Sequence, residues 1–118
     1  MSGLTLAELA AKKCVPCEGG VPPLALDQAQ QYLRHLEGWQ IVGQSLEKEY
    51  RFPSYLQGLE LAYRLGKIAE EEGHHPDLLI KWRRVRVTLT THAIKGLSEN
   101  DFIMAAKADQ EYNKLLGR

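Results

Sequence analysis

Two stretches of the chain alternate apolar with polar residues, and each doubles back at a turn. In the first, Trp39 and Ile41 are followed, across Gly43-Gln44-Ser45, by Leu46, Lys48, Tyr50 and Phe52. In the second, Leu78, Ile80 and Trp82 are followed, across a tight turn near Arg83, by Val85, Val87 and Leu89. A period of two with turn residues in the middle predicts a β-hairpin, so each stretch supplies two antiparallel strands. The alternation leaves one face of the resulting sheet apolar, and helices must cover it.

Three segments read as those helices. Asp27 is a good N-cap, after which Ala29, Tyr32, Leu33 and Leu36 recur at helical spacing until Gly38, with His35 on the polar, solvated side. Ser54 and Gln57 form a capping box that opens a long helix running to about Glu72. Its polar face carries Gln57, Glu60, Arg64, Lys67 and Glu71, and its core face Tyr55, Leu59, Ala62, Leu65, Gly66 and Ala69. Ser98-Glu99-Asn100-Asp101 caps the last helix, with Leu97 and Phe102 as a hydrophobic staple and Phe102, Ala105, Ala106, Tyr112 and Leu116 facing inward. The order α-ββ-α-ββ-α predicts an α+β, two-layer domain whose four-stranded antiparallel sheet is covered on one face by helices. At 118 residues, 44% of them hydrophobic, one such domain can bury a sizeable core.

Residues 1–26 read as a loosely ordered N-terminal leader, followed by a single domain over 27–118. Thr5 to Lys13 can form two helical turns, but the prolines and glycines between Cys14 and Pro23 stop anything longer. Cys14 and Cys17 are half of a four-ligand zinc site, and glycine and proline follow them where a redox pair would open a helix. No catalytic role is assigned to them. Two cysteines make no disulfide framework, which suits a reducing, cytoplasmic location. A formal net charge of zero with no basic block leaves no electrostatic footprint for nucleic acid, and no apolar run reaches membrane-spanning length.

Chemistry concentrates in Glu70-Glu71-Glu72-Gly73-His74-His75-Pro76. Histidine is the side chain best suited to exchange protons near neutral pH. Gly73 fits the left-handed position past a helix end, and Pro76 holds His75 extended. Extended neighbours point opposite ways, so His74 and His75 should line different sides of a pocket rather than share a metal ion. Glu70 falls at the seam between the two helix faces, where partial desolvation would suit it to proton chemistry. His92 stands at the end of the last strand, on the face away from Val87 unless the chain turns first. Asp101 by itself is explained as capping chemistry contributing about 1 kcal/mol.

Taken together, Glu70-x-x-x-His74-His75-Pro76, Trp82, Thr91-His92 and Gly96-Leu97-Ser98-x-x-Asp101, with Gly38-Trp39 and Tyr50-Arg51-Phe52 upstream, resemble the pterin-4a-carbinolamine dehydratases, and most closely their bacterial branch. The likeness spans roughly residues 27–112, so the 27–118 domain is expected to be pterin dehydratase-like. It implies a hydro-lyase that dehydrates 4a-hydroxytetrahydropterin to quinonoid dihydropterin, regenerating the pterin that phenylalanine hydroxylase and other aromatic amino acid hydroxylases consume. It implies catalytic His74, His75 and His92, supported by Glu70, Pro76, Trp39 and Asp101, with no metal and no cofactor. The flat, neutral substrate agrees with the lack of a phosphate-cradling glycine loop. Gly73 stands where animal members carry an aspartate, a place Glu70 or Glu72 could fill, and Leu78 stands where an aromatic residue is found. The family implies homodimers or homotetramers, in line with open sheet edges and an apolar surplus. A different expectation also follows from the resemblance, because animal members help transcription factors dimerise: a non-enzymatic binding partner.

Overall fold

The computed structural model describes residues 5–15 and 22–117. In chain order these form helix α1 (Leu6–Ala11), helix α2 (Leu26–Leu33), strands β1 (Gln40–Val42) and β2 (Ser45–Arg51), helix α3 (Tyr55–Glu72), strands β3 (Asp77–Lys81) and β4 (Arg84–Leu89), and helix α4 (Glu99–Leu115). Between β4 and α4 lies one 3₁₀ turn, His92–Ile94. The sheet is four-stranded and antiparallel in the order β1-β2-β4-β3, the α+β architecture expected from the hairpin pattern. Both hairpins turn at a left-handed residue, Gly43 with φ 60° and Arg83 with φ 61°. The register pairs Leu46 with Leu89 and Tyr50 with Val85, so these four buried side chains share the face that meets the helices. On the other face Glu49 lies opposite Arg86 and forms ion pairs with Arg84 and Arg86.

Helix α3 lies on the sheet along Gly58, Leu61, Leu65 and Ala69, one residue round from the face read off the sequence. Of the expected core face, Tyr55 is exposed and Leu59, Ala62 and Gly66 are only half-buried. The cause is Gly58. A Cβ at this position would come within 3.3 Å of Val85 Cγ2, so the helix rests on the sheet at a residue with no side chain to advertise the contact. Leu56 and Tyr63 are left exposed. The Ser54 cap is present, its Oγ accepting from Gln57 N–H at 3.2 Å, but Gln57 does not complete the box. At α2, Gln28 reaches back to the Ala25 N–H at 3.1 Å, so the helix begins before Asp27, the expected cap, and ends at Leu33 rather than at Gly38.

The described part of the 1–26 segment packs on α4. Thr5 and Glu8 form a full capping box for α1, and Leu9 is completely buried against α4. Lys107 Nζ donates to Ala10 O at 2.7 Å, and Lys12 Nζ pairs with Glu99 Oε2 at 2.6 Å. With α1 on one side and the sheet on the other, Ile103, Met104 and Ala108 of α4 are buried along with the predicted inner residues Phe102, Ala105 and Ala106. Among the described residues, no helix is long and apolar enough to cross a membrane.

Candidate active site

The C-terminal end of α3 and the N-terminal end of α4 converge on one cavity of about 500 Å³. Gly73 ends α3 in the left-handed conformation, φ 67° and ψ 28°, and its N–H reaches Ala69 O at 2.8 Å. The next residue is His74, and its ring turns back toward α4. There His74 Nε2 lies 2.6 Å from Asp101 Oδ1, a side chain with no exposure. Asp101 Oδ2 accepts from Thr91 Oγ1–H at 2.8 Å and from Ser98 N–H at 3.0 Å. The second contact is half of the α4 capping box, so one carboxylate serves the helix end and the histidine together. With Oδ2 occupied by two donors, Oδ1 remains to accept the Nε2–H of His74. That fixes the tautomer and leaves Nδ1 as the nitrogen free for chemistry.

His75 has a different partner. Its Nε2 lies 2.5 Å from Glu70 Oε2, and the pair is open to water, with side chains 59% and 77% exposed. Partial desolvation of Glu70, expected from its place on the helix seam, is therefore not found: the seam faces solvent. His92 does not stand at a strand end. β4 stops at Leu89, Thr91 pairs with Gly96 in an isolated bridge, and the chain folds into the 3₁₀ turn that opens with His92. Gly96 is required there, because a Cβ would sit 2.5 Å from Pro23 Cβ.

His74, His75 and His92 all line the cavity, together with Thr90 and Thr91. Glu70 reaches it through His75, and Asp101 through His74. Pro76 is not among the lining residues. Trp39 is elsewhere: buried in the core, it donates from Nε1 to Asp109 Oδ1 at 3.1 Å. The same oxygen accepts from Lys48 Nζ at 2.9 Å and from Tyr50 Oη–H, whose pKa is driven well above the ordinary tyrosine value by burial first and then by the Asp109 charge. Asp109 lies two turns down α4 from Asp101, about 12 Å along the axis. Trp39 therefore holds the core and does not touch the site.

Of the other lining residues, Glu72 was legible only as a possible substitute for the aspartate of animal members, and Asn100 and Val15 carried no signal as site members. Glu72 ends the acidic run with its side chain 10% exposed, and its Oε1 accepts from the Cys14 backbone N–H at 2.8 Å. Asn100, inside the α4 cap, binds Val15 through both ends of its amide. Cys14 and Val15 also line the cavity, and Cys17 lies outside the described residues. Only burial separates Glu72 from the solvated Glu71, which a wheel drawn on the wrong face could not reveal. Among the described residues, no three His, Cys, Asp or Glu side chains are placed to hold a metal ion.

Comparison with known proteins matches residues 22–111 to the family model described as pterin 4 alpha carbinolamine dehydratase. A protein of Rubrobacter xylanophilus provisionally named pterin-4-alpha-carbinolamine dehydratase is 44% identical over 106 residues, covering 89% of this chain and 99% of its own. A Rickettsia bellii protein with the same provisional name is 48% identical over 103 residues, covering 86% and 91%. Among solved structures, one described as a transcriptional coactivator/pterin dehydratase from Brucella melitensis superposes with a TM-score of 0.72 at 30% identity, covering 75% of this chain and 96% of that one. Another, described as a pterin dehydratase-like protein and a RuBisCO assembly factor in the alpha-carboxysome, gives a TM-score of 0.53 at 27% identity over 64% and 88%.

Proposed function

The chain belongs to the pterin 4 alpha carbinolamine dehydratase family, and we propose that it dehydrates 4a-hydroxytetrahydropterin to quinonoid dihydropterin and water. The observation that carries this reading is the set of three histidines on one cavity, with His74 held by a fully buried Asp101. Loss of water from carbon 4a needs an acid for the departing hydroxyl and a base for a ring N–H. Two positioned imidazoles can contribute roughly two to four powers of ten to such a step.

Roles follow from the surroundings. Asp101 aims the ring of His74 through Nε2, and His74 in its protonated form gives Nδ1–H to the hydroxyl as the C4a–O bond breaks. His75, on the solvent-facing side, takes the ring-nitrogen proton, and Glu70 stabilises the charge it acquires. His92 lines the same pocket. The proton lost to the leaving water and the proton gained from the ring cancel, so both histidines return to their starting forms through exchange with water. The site asks for no metal or cofactor.

The product is a form that a reductase can return to tetrahydropterin, and we infer that the protein works in the cytoplasm beside a phenylalanine or related aromatic hydroxylase. Exposed Leu56 and Tyr63 on α3 and the open edge of β3 support self-association as a homodimer or homotetramer. The same exposed residues suit the alternative reading, a protein-binding role of the kind described for the two structural relatives. That reading gives no work to the histidine set and its buried carboxylate. The test is decay of chemically generated 4a-hydroxytetrahydropterin in stopped flow. Wild-type protein should accelerate it, and His75→Ala should slow the catalysed rate by about tenfold or more. No acceleration by the wild type overturns the dehydratase reading; an unchanged rate in His75→Ala removes that histidine from the reaction.

A further inference from the structure

The cavity has one side that comes from outside the region matched to the family model, residues 22–111. Cys14 and Val15 of that side line it directly. This segment is fastened by groups that otherwise look like ordinary helix-end residues. Glu72 Oε1 accepts the Cys14 N–H at 2.8 Å. Asn100 Oδ1 accepts the Val15 N–H at 3.0 Å while its Nδ2 donates to Val15 O at 2.5 Å, the two bonds a neighbouring strand would make. The Cys14 thiol adds a weak bond to Asn100 O at 3.8 Å. Upstream, the Lys12–Glu99 and Lys107–Ala10 contacts tie the same segment to α4. A mere tether would need none of the bonds at the cavity itself.

We propose that this strap is a substrate-binding wall of the site, that Cys14 and Val15 contact the flat pterin ring, and that Glu72 and Asn100 are positioning residues acting through it. The inference rests on the dehydratase reading for its ligand class. A soft thiol and a branched aliphatic side chain offer apolar contact to an uncharged bicycle while the histidines stand elsewhere on the lining. Glu72 has its Oε1 committed to a backbone N–H and its Oε2 3.8 Å from Lys107 Nζ, so it is not the stand-in for the aspartate that animal members carry before the histidine pair. A wall that touches ground state and transition state alike affects KM and leaves kcat nearly unchanged.

The decisive variant is Val15→Pro, which deletes the N–H given to Asn100 at a residue 63% exposed, so the core is not disturbed. Asn100→Ala and Glu72→Ala remove the partners from the other side. Hydrogen exchange at the Cys14 amide reports whether the strap has been released. With release, KM for 4a-hydroxytetrahydropterin should rise about tenfold with kcat within about twofold of wild type. Glu72→Gln, which keeps an acceptor for Cys14 N–H, should recover part of what Glu72→Ala loses. Released strap with unchanged KM overturns the proposal, and so does a fall in kcat at constant KM. Affinity for biopterin, a stable pterin, is measured on the same proteins by calorimetry. If the wild type catalyses nothing, the dehydratase reading falls, and biopterin affinity still decides the strap: weaker binding in Val15→Pro upholds it, while equal or absent binding in both proteins overturns it.

Discussion

Asp101→Asn isolates the charge that His74 sees. The substitution preserves shape in a fully buried position. If the amide oxygen takes the place of Oδ2, the bonds from Thr91 and Ser98 survive, and the NH₂ group faces His74 Nε2 in place of Oδ1. His74 must then accept at Nε2 and carry its proton on Nδ1, and its imidazolium form loses its counter-charge. A charge-assisted hydrogen bond contributes about 1.5–3 kcal/mol, and a buried pair 2.6 Å apart belongs in the upper half of that range. At about 1.4 kcal/mol per factor of ten, kcat should fall roughly 40- to 140-fold. Folding should suffer far less, by about 1–2 kcal/mol, because the cap bonds remain and only the charge at the helix N-terminus is lost. Stopped-flow decay of the carbinolamine gives kcat, and urea denaturation gives stability. Asp101→Ala would be a poor choice, since it strands three donors at once. The reasoning is refuted if Asp101→Asn keeps kcat within about twofold, or if its loss multiplies with that of His74→Ala in a double-mutant cycle instead of vanishing on that background.

Two further outcomes concern the frame around the site. Asp109→Ala leaves the Trp39, Lys48 and Tyr50 donors without their acceptor, one of them a partly buried cation, and should cost about 3–5 kcal/mol in chemical denaturation; a loss below about 1 kcal/mol would mean that water replaces the carboxylate. The contacts that Glu99 of α4 makes with Lys12 and with Tyr32 of α2 should be strongest in a middle pH window. Burial alone would raise the Glu99 pKa, but hydrogen bonds from Lys12 and Tyr32 bring it below its ordinary 4.5, so its contribution is whole above 4.5 and fades as pH falls below that value. Tyr32 is pushed up to about 12, by burial first and the bond to Glu99 second, so its contribution is whole below pH 10.0 and fades between there and about 12. Thermal melts should therefore decline at both ends, and Tyr32→Phe should flatten the alkaline decline; an identical alkaline slope in the variant would refute the assignment.

How far the fold was legible follows from which contacts leave a period in the chain. The two hairpins did, because every second residue of β2 and β4 meets the core and Gly43 and Arg83 mark the turns. The seat of α3 did not. Its closest approach to the sheet is at Gly58, so the apolar residues that set the expected face lie partly in the open. The docking of α1 was hidden for a related reason: Leu9 and Ala10 form too short an apolar pair to stand out, and the polar groups that fasten the segment lie on a helix far along the chain.

The site was legible where proton chemistry demands particular side chains and silent where backbone does the work. Histidines next to a proline announce themselves; a glutamate and an asparagine that grip the main chain of residues 14 and 15 do not. Asp101 lies between these cases. As the third residue of a cap it had a sufficient local explanation, and the structure does not remove that explanation, since Ser98 N–H is bound as a cap requires. What the cap leaves unexplained is the other oxygen. A capping acid at a solvated helix end gives its spare oxygen to water, whereas Asp101 has no exposure and gives it to His74. Burying a carboxylate to serve one cap contact would cost more than the cap returns. The burial is offset only when both oxygens are used, so the helix end and the histidine depend on the same group, and their responses to its removal should differ in kind: a small change in folding and a large one in rate.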